Sequence, residues 1–203
     1  MMVRVFGAAA TVALMAMAVP AAAQQFSDSH EFLEAVRGQD GTKVDKFLRD
    51  KTLRIVNTRD RVTGEGAIHI AANRSDQLYL RVIAQQDDVN INLQDRRGNT
   101  ALILAAGRGW PEGVTILLRY KANVNAANAS GETALIRAVQ IHNVEIARNL
   151  LEAGADPDRT DNVTGKSARD YARESARWPA ITKLLSDAPK VQRGAAGAAG
   201  PKL

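Results

Sequence analysis

Gly98-Asn99-Thr100-Ala101-Leu102-Ile103-Leu104-Ala105-Ala106 is followed, 33 residues on, by Gly131-Glu132-Thr133-Ala134-Leu135-Ile136-Arg137-Ala138-Val139. The pattern recurs on both sides: Gly64-Glu65-Gly66-Ala67-Ile68-His69-Ile70-Ala71-Ala72 begins 34 residues before the first block, and Gly165-Lys166-Ser167-Ala168-Arg169-Asp170-Tyr171-Ala172-Arg173 begins 34 after the second. Each block leads into a second segment with apolar residues at helical spacing: Val114, Leu117 and Leu118, then Ile146, Leu150 and Leu151, then Ile181, Leu184 and Leu185. Each unit is therefore two short helices. The stretches between units, 88–92, 122–125 and 154–158, are rich in Asn, Asp and Gly and too short for a further helix. Small pairs such as Ala71-Ala72 and Ala105-Ala106 let one hairpin close upon the next, so neighbours complete each other's core.

The turns inside the units are legible too. Gly109 ends one helix, and Pro111 suits the first turn of the next, where its missing N–H has no partner to lose; Pro179 repeats the device. His142 stands in the place of that glycine, while Asn143 and Asp76 are suited to cap the helices that follow them, and Gly154 closes the helix starting near Val144. A weaker first unit shows in Phe32, Leu33, Ala35 and Val36, then Val44, Phe47 and Leu48, ending at Ile55-Val56-Asn57. The expected organisation is five units at about 26–57, 58–94, 95–127, 128–160 and 161–188, in one domain over 24–188. In the last unit Arg169 takes the position of Leu102 and Leu135, as on the polar outer face of a terminal capping unit, with its head expected to snorkel into water.

The period and the blocks resemble ankyrin repeats, whose hallmark is T-P-L-H-x-A. Thr100-Ala101-Leu102-Ile103 and Thr133-Ala134-Leu135-Ile136 carry it with Ala for Pro and Ile for His, and His69 keeps the histidine. The resemblance covers roughly 26–188 and implies an all-α solenoid of about five stacked helix-turn-helix units with short loop fingers. It also implies that His69 bonds loop backbone, and that partners are held by loop tips and the concave surface of the first helices. Carried onto this chain, the tips are Arg59, Asp60, Arg96, Arg97, Asn99, Asn128, Ser130 and Glu132, and the helix surface is Asn73, Arg74, Arg108, Gln140 and Ile141. Arg74, Arg96, Arg97 and Arg108 could form a basic stripe fitted to a partner's carboxylates. Trp110 is a further candidate anchor, or else a core residue beside Pro111.

The two ends read differently. Arg4, an apolar run over 5–19, Pro20 and Ala21-Ala22-Ala23 have the three parts of a secretory signal, with cleavage expected after Ala23. The run is shorter than the ~20 residues of a spanning helix. Its alanine-rich character suggests export to the periplasm of a Gram-negative bacterium, and no transmembrane segment is expected after cleavage. Residues 189–203, rich in Gly and Ala and carrying Lys190, Arg193 and Lys202, are expected to form a flexible basic tail.

Of 203 residues, 27 are Lys or Arg and 22 Asp or Glu, but the ends hold four of the basic residues and none of the acids, leaving the body close to neutral. That argues against a nucleic-acid partner, which would need the excess on one folded face. Cysteine is absent, excluding disulfides and thiolate chemistry. His30, His69 and His142 lie in different units without metal-ligand spacing, and no nucleophile motif or phosphate loop is present, so no metal, cofactor or catalysis is expected. The functional expectation is a monomeric, non-enzymatic protein-binding module in the cell envelope. The alternative is binding of an anionic polymer or membrane surface through the arginines and the tail.

Overall fold

The computed structural model describes residues 21–174 and 177–189. The expected signal, apart from its last three residues, and the expected tail beyond Pro189 lie outside them. Among the described residues, ten α-helices pair into five hairpins: α1 (Ala21–Arg37) with α2 (Gly41–Arg49), α3 (Ala67–Asn73) with α4 (Gln77–Ala84), α5 (Ala101–Gly107) with α6 (Pro111–Arg119), α7 (Ala134–Gln140) with α8 (Val144–Glu152), and α9 (Ala168–Glu174) with α10 (Pro179–Asp187). Among the described residues, β structure is limited to isolated bridges, Arg59 to Gly66, Ala127 to Thr133 and Thr160 to Ser167, each pinching the base of a finger-like loop. Cleavage after Ala23 would remove the first three residues of α1 as described, Ala21, Ala22 and Ala23.

Two layers arise from the sequence period. First helices pack in a row, α1 on α3, α3 on α5, α5 on α7 and α7 on α9, while α4, α6, α8 and α10 form the second layer. The first-layer contacts use alanines: Ala71, Ala72, Ala105, Ala106 and Ala138 are all buried, and side chains this small allow helix axes toward the near end of the ~8–10 Å range. Leu80, Leu117, Leu150 and Leu185 fill the space between layers, all with no exposed surface.

Inside the first four hairpins the turn residue is left-handed: Gln39, Ser75, Gly109 and His142 have φ of 56°, 53°, 69° and 59°. The next residue starts the second helix in one of two ways. Asp40, Asp76 and Asn143 accept from the N–H of Lys43, Tyr79 and Ile146, whereas Trp110 and Trp178 make no side-chain cap and are followed by Pro111 and Pro179. Trp110 is half-buried against the core, its ring lying over Gly113, where any side chain would collide with it. This is the core role.

Two ladders join successive units. Asn57, Asn92 and Asn125 each accept, through Oδ1 at 2.7 Å, the backbone N–H of Asn90, Asn123 and Asp156 in the following unit. The fingers are stitched by backbone bonds from Arg96 N–H to Thr63 O, Ala129 N–H to Arg97 O and Asn162 N–H to Ser130 O. Gly98, at φ +76°, makes this approach possible, because a Cβ there would lie 2.6 Å from the Ala129 nitrogen. Gly165, in the last of the described fingers, has nothing within 4 Å, since no further finger packs on it among the described residues.

Arg169 corrects the sequence expectation. Its residue is 5% exposed, not snorkelling, and its guanidinium bonds Asp158 at 2.8 Å together with the carbonyls of Leu185 and Ala188 at the end of α10. A buried charge persists only with paired acceptors. Asp158 of the fourth unit stands at the position of Asn92 and Asn125, which accept an N–H from the unit that follows; the equivalent donor position in the fifth unit is Pro189, which has no N–H, and Arg169 of that unit takes over the role.

Candidate concave binding surface

Two central fingers and the C-terminal halves of α3, α5 and α7 enclose an open concavity of about 480 Å³. Its floor is Ile103, Leu104 and Gly107 of α5, and its rim is built from fingers whose shape is set by one acceptor each. Asp95 Oδ1 takes the N–H groups of Arg97 and Asn99, both at 2.8 Å, and Asn128 Oδ1 takes those of Ser130 and Glu132, both at 3.0 Å. An aspartate or asparagine bonding its own backbone two residues on is the local reason these tips are turns.

Seven of the thirteen residues singled out from the sequence line this one concavity: Asn73, Arg97, Asn99, Arg108, Asn128, Ser130 and Glu132. Gln140 borders it by bonding Arg137 and Glu132, at 3.2 and 3.4 Å. Ile141 is partly exposed beside Gly109. The other four face elsewhere. Arg59 donates to Gly64 O, Asp60 pairs with Arg37 at 3.0 Å and accepts from Val62 and Thr63, Arg74 donates to Arg37 O, and Arg96 donates to Arg61 O. The stripe of four arginines is thus divided. Arg74 and Arg96 reach back over the preceding unit, while Arg97 and Arg108 face the concavity.

Arg137 is the wall residue that the sequence pattern missed. It lines the concavity, pairs with Glu132 at 3.4 Å and lies over Gly107, where a Cβ would come 3.3 Å from its guanidinium. Its signal was present in the glycine: Gly107 stands where the neighbouring units carry Asn73 and Gln140, leaving room for a long side chain from the next helix.

Electrostatics at the outer fingers is governed by their loop carboxylates, Asp60 and Asp161. The Asp60 carboxyl is held well below the usual carboxylate range by the N–H groups of Thr63 and Val62 and by Arg37. For Asp161 burial pushes upward, yet the bonds from Thr164, Tyr171 and Val163 outweigh it and bring the value down to about 2. His69 is fully buried, its Nδ1 accepting from Gly66 N–H at 3.1 Å and its Nε2 lying 3.0 Å from Asn99 O. The first bond makes Nδ1 the unprotonated nitrogen, so Nε2 carries the hydrogen and donates; burial lowers the pKa accordingly. No cluster of three or more His, Asp or Glu suited to a metal occurs among the described residues, and none of their helices is long and apolar enough to cross a membrane.

A second depression, about 180 Å³, lies on the outer layer against α4, α6 and α8, with Arg81 and Arg119 balanced by Glu112 and Glu145. The concavity differs in sign, with three arginines against one glutamate.

Comparison with known proteins places this geometry. The family model described as Ankyrin repeats (3 copies) matches residues 68–161. BCL-6 corepressor-like protein 1 of Homo sapiens is 32% identical over 124 residues, 61% of this chain and 7% of that protein. The nuclear factor NF-kappa-B p105 subunit of Gallus gallus is 29% identical over 120 residues, 53% of this chain and 12% of that protein. A probable E3 ubiquitin-protein ligase, XBOS32 of Oryza sativa subsp. japonica, is 33% identical over 89 residues, 44% of this chain and 18% of that protein. The chain therefore spans less than a fifth of the length of these relatives. Ankyrin repeats are in general protein–protein interaction modules without catalysis of their own. With helix pairs in two layers, fingers stitched in register and the repeat model matched across the three central hairpins, the chain carries ankyrin repeats and folds as an ankyrin-repeat solenoid.

Proposed function

We propose that this protein is a monomeric, non-enzymatic binding module that holds a protein partner in the concavity between its fingers and first helices. The observation that carries the reading is convergence: seven residues from two fingers and the ends of two helices meet around one apolar floor. Pockets that bind specifically combine such a floor with a few placed polar groups. Photo-crosslinking side chains installed at Ser130, in the concavity, and at Arg148, on the outer layer, test it. Protein adducts should form from Ser130 and not from Arg148; the reverse pattern would refute the assignment.

We propose further that the module works in the cell envelope after export. Its support is the sequence of residues 1–23, positive at the start, apolar in the middle and small at the end. N-terminal sequencing of the mature protein from the periplasmic fraction should begin at Gln24; a chain retained in the cytoplasm with Met1 in place would contradict it.

A further inference from the structure

The lining of the concavity also bears on the chemistry of its occupant. Taking the concavity as the protein-binding site proposed for it, we infer that it receives an acidic segment of the partner protein, with a carboxylate clasped by Arg97 and Arg108 and a neighbouring aliphatic side chain set on Ile103 and Leu104.

Most polar groups of the lining are already satisfied. Asn73 donates to Glu65 at 2.8 Å, Asn99 to Asp95 at 3.0 Å, and Asn128 to Asn99 and Glu132, both at 3.0 Å. Arg137 is held by Glu132 and Gln140. Those walls are fixed by bonds within the protein. Arg97 and Arg108 are the exception: both are exposed, both line the concavity, and neither guanidinium makes a hydrogen bond or ion pair among the described residues. Arg74 and Arg96, by contrast, have their guanidinium groups turned to backbone carbonyls.

Two free forks at one open recess match a carboxylate, which accepts paired N–H bonds in the plane of each fork. The acid in the lining, Glu132, is occupied by Asn128, Arg137 and Gln140, so the recess keeps a net positive charge. A bare polyanion would satisfy the arginines as well, but it would leave the floor unused. Ile103 and Leu104 on the floor favour a chain in which an acid alternates with an aliphatic residue.

The test is selection of random displayed short peptides on the full chain, followed by fluorescence anisotropy titration of the enriched peptides. Enriched peptides should carry Asp or Glu beside Leu, Ile or Val. Their affinity should fall roughly 10- to 100-fold when the acid is changed to its amide, and equally when Arg97→Gln and Arg108→Gln are combined. Arg119→Gln with Arg148→Gln, on the outer layer, should leave it unchanged. Selection of peptides without acids that are nonetheless lost on filling the recess with Ser130→Trp would overturn the acidic occupant and leave the site standing. Binding that survives Ser130→Trp would overturn both the site and the inference. Displacement of the peptides by polyglutamate or heparin as readily as by the same peptide unlabelled would show that charge alone is read, and would also end the proposal. So would a selection that enriches nothing.

Discussion

His69 shows how a single residue can secure a helix start that has no capping side chain. Thr100 and Thr133 cap α5 and α7 by accepting from Ile103 and Ile136, but the corresponding position before α3 is Gly66, which has no side chain to do so. From within the helix, His69 accepts the Gly66 N–H and ties the finger to Asn99. Protonation would turn Nδ1 from acceptor to donor against that N–H. Because the folded value lies below the ordinary ~6.5, the unfolded chain binds the proton more readily. The stabilisation from neutral His69 is therefore complete above pH ~6.5 and is lost as the pH falls through that value toward the lowered one. Denaturant melts across this range should show the slope, and His69→Ala should flatten it while costing about 1–3 kcal/mol at pH 7 through the unpaired Gly66 N–H. Asp161 adds a second acid step. With its carboxyl at about 2, its stabilisation is intact above the ordinary ~3.9 and disappears as the pH falls from there through about 2. Asp161→Asn should reduce that lower step, to which the depressed carboxyl of Asp60 also contributes, and leave the one from His69.

Among the elements, the layer contacts and the finger stitching carry separable predictions. Leu117 of α6 has no exposed surface, so Leu117→Ala should cost ~2–5 kcal/mol in equilibrium unfolding by opening a cavity between layers. Gly98→Ala should cost about 1 kcal/mol or more, through a left-handed alanine and the clash with Ala129, and amide exchange should show the Ala129 N–H released from Arg97 O. Arg169→Met should free the carbonyls at the end of α10, costing about 1–3 kcal/mol, with that helix the first to exchange. Most of the elements were readable from the sequence, since Pro111, Pro179, Asp76, Asn143 and the positive-φ turns are local devices whose physics does not depend on distant residues. What could not be read were long side chains choosing among distant partners. Arg74 and Arg96 turn back to the preceding unit, Arg169 turns inward to Asp158, and Arg137 leans into the space over Gly107. Periodicity places a Cα; it does not choose the acceptor.

Over its full extent, the stack converts a chain of near-neutral body charge into two faces of different character. The outer layer has balanced charges around its depression, while the concavity collects unpaired arginines over an apolar floor. The outer fingers differ from the inner ones as well: Asp60-Arg61-Val62-Thr63-Gly64 and Asp161-Asn162-Val163-Thr164-Gly165 are each one residue longer, and they leave Val62 and Val163 79% and 76% exposed. In both, the aspartate Oδ1 accepts from the valine and threonine N–H groups, so the same geometry stands on either side of the two shorter central fingers. A stack of this kind is stabilised chiefly by neighbour contacts, so recognition can alter its exposed side chains without repacking its layers. Arginine modification by phenylglyoxal, read by mass spectrometry on the free chain and on its complex with the captured protein, examines that division directly. Arg97 and Arg108 should be shielded in the complex while Arg119 and Arg148 react at their free rates; shielding of Arg119 and Arg148 with Arg97 and Arg108 left reactive would place the partner on the opposite face and contradict the account.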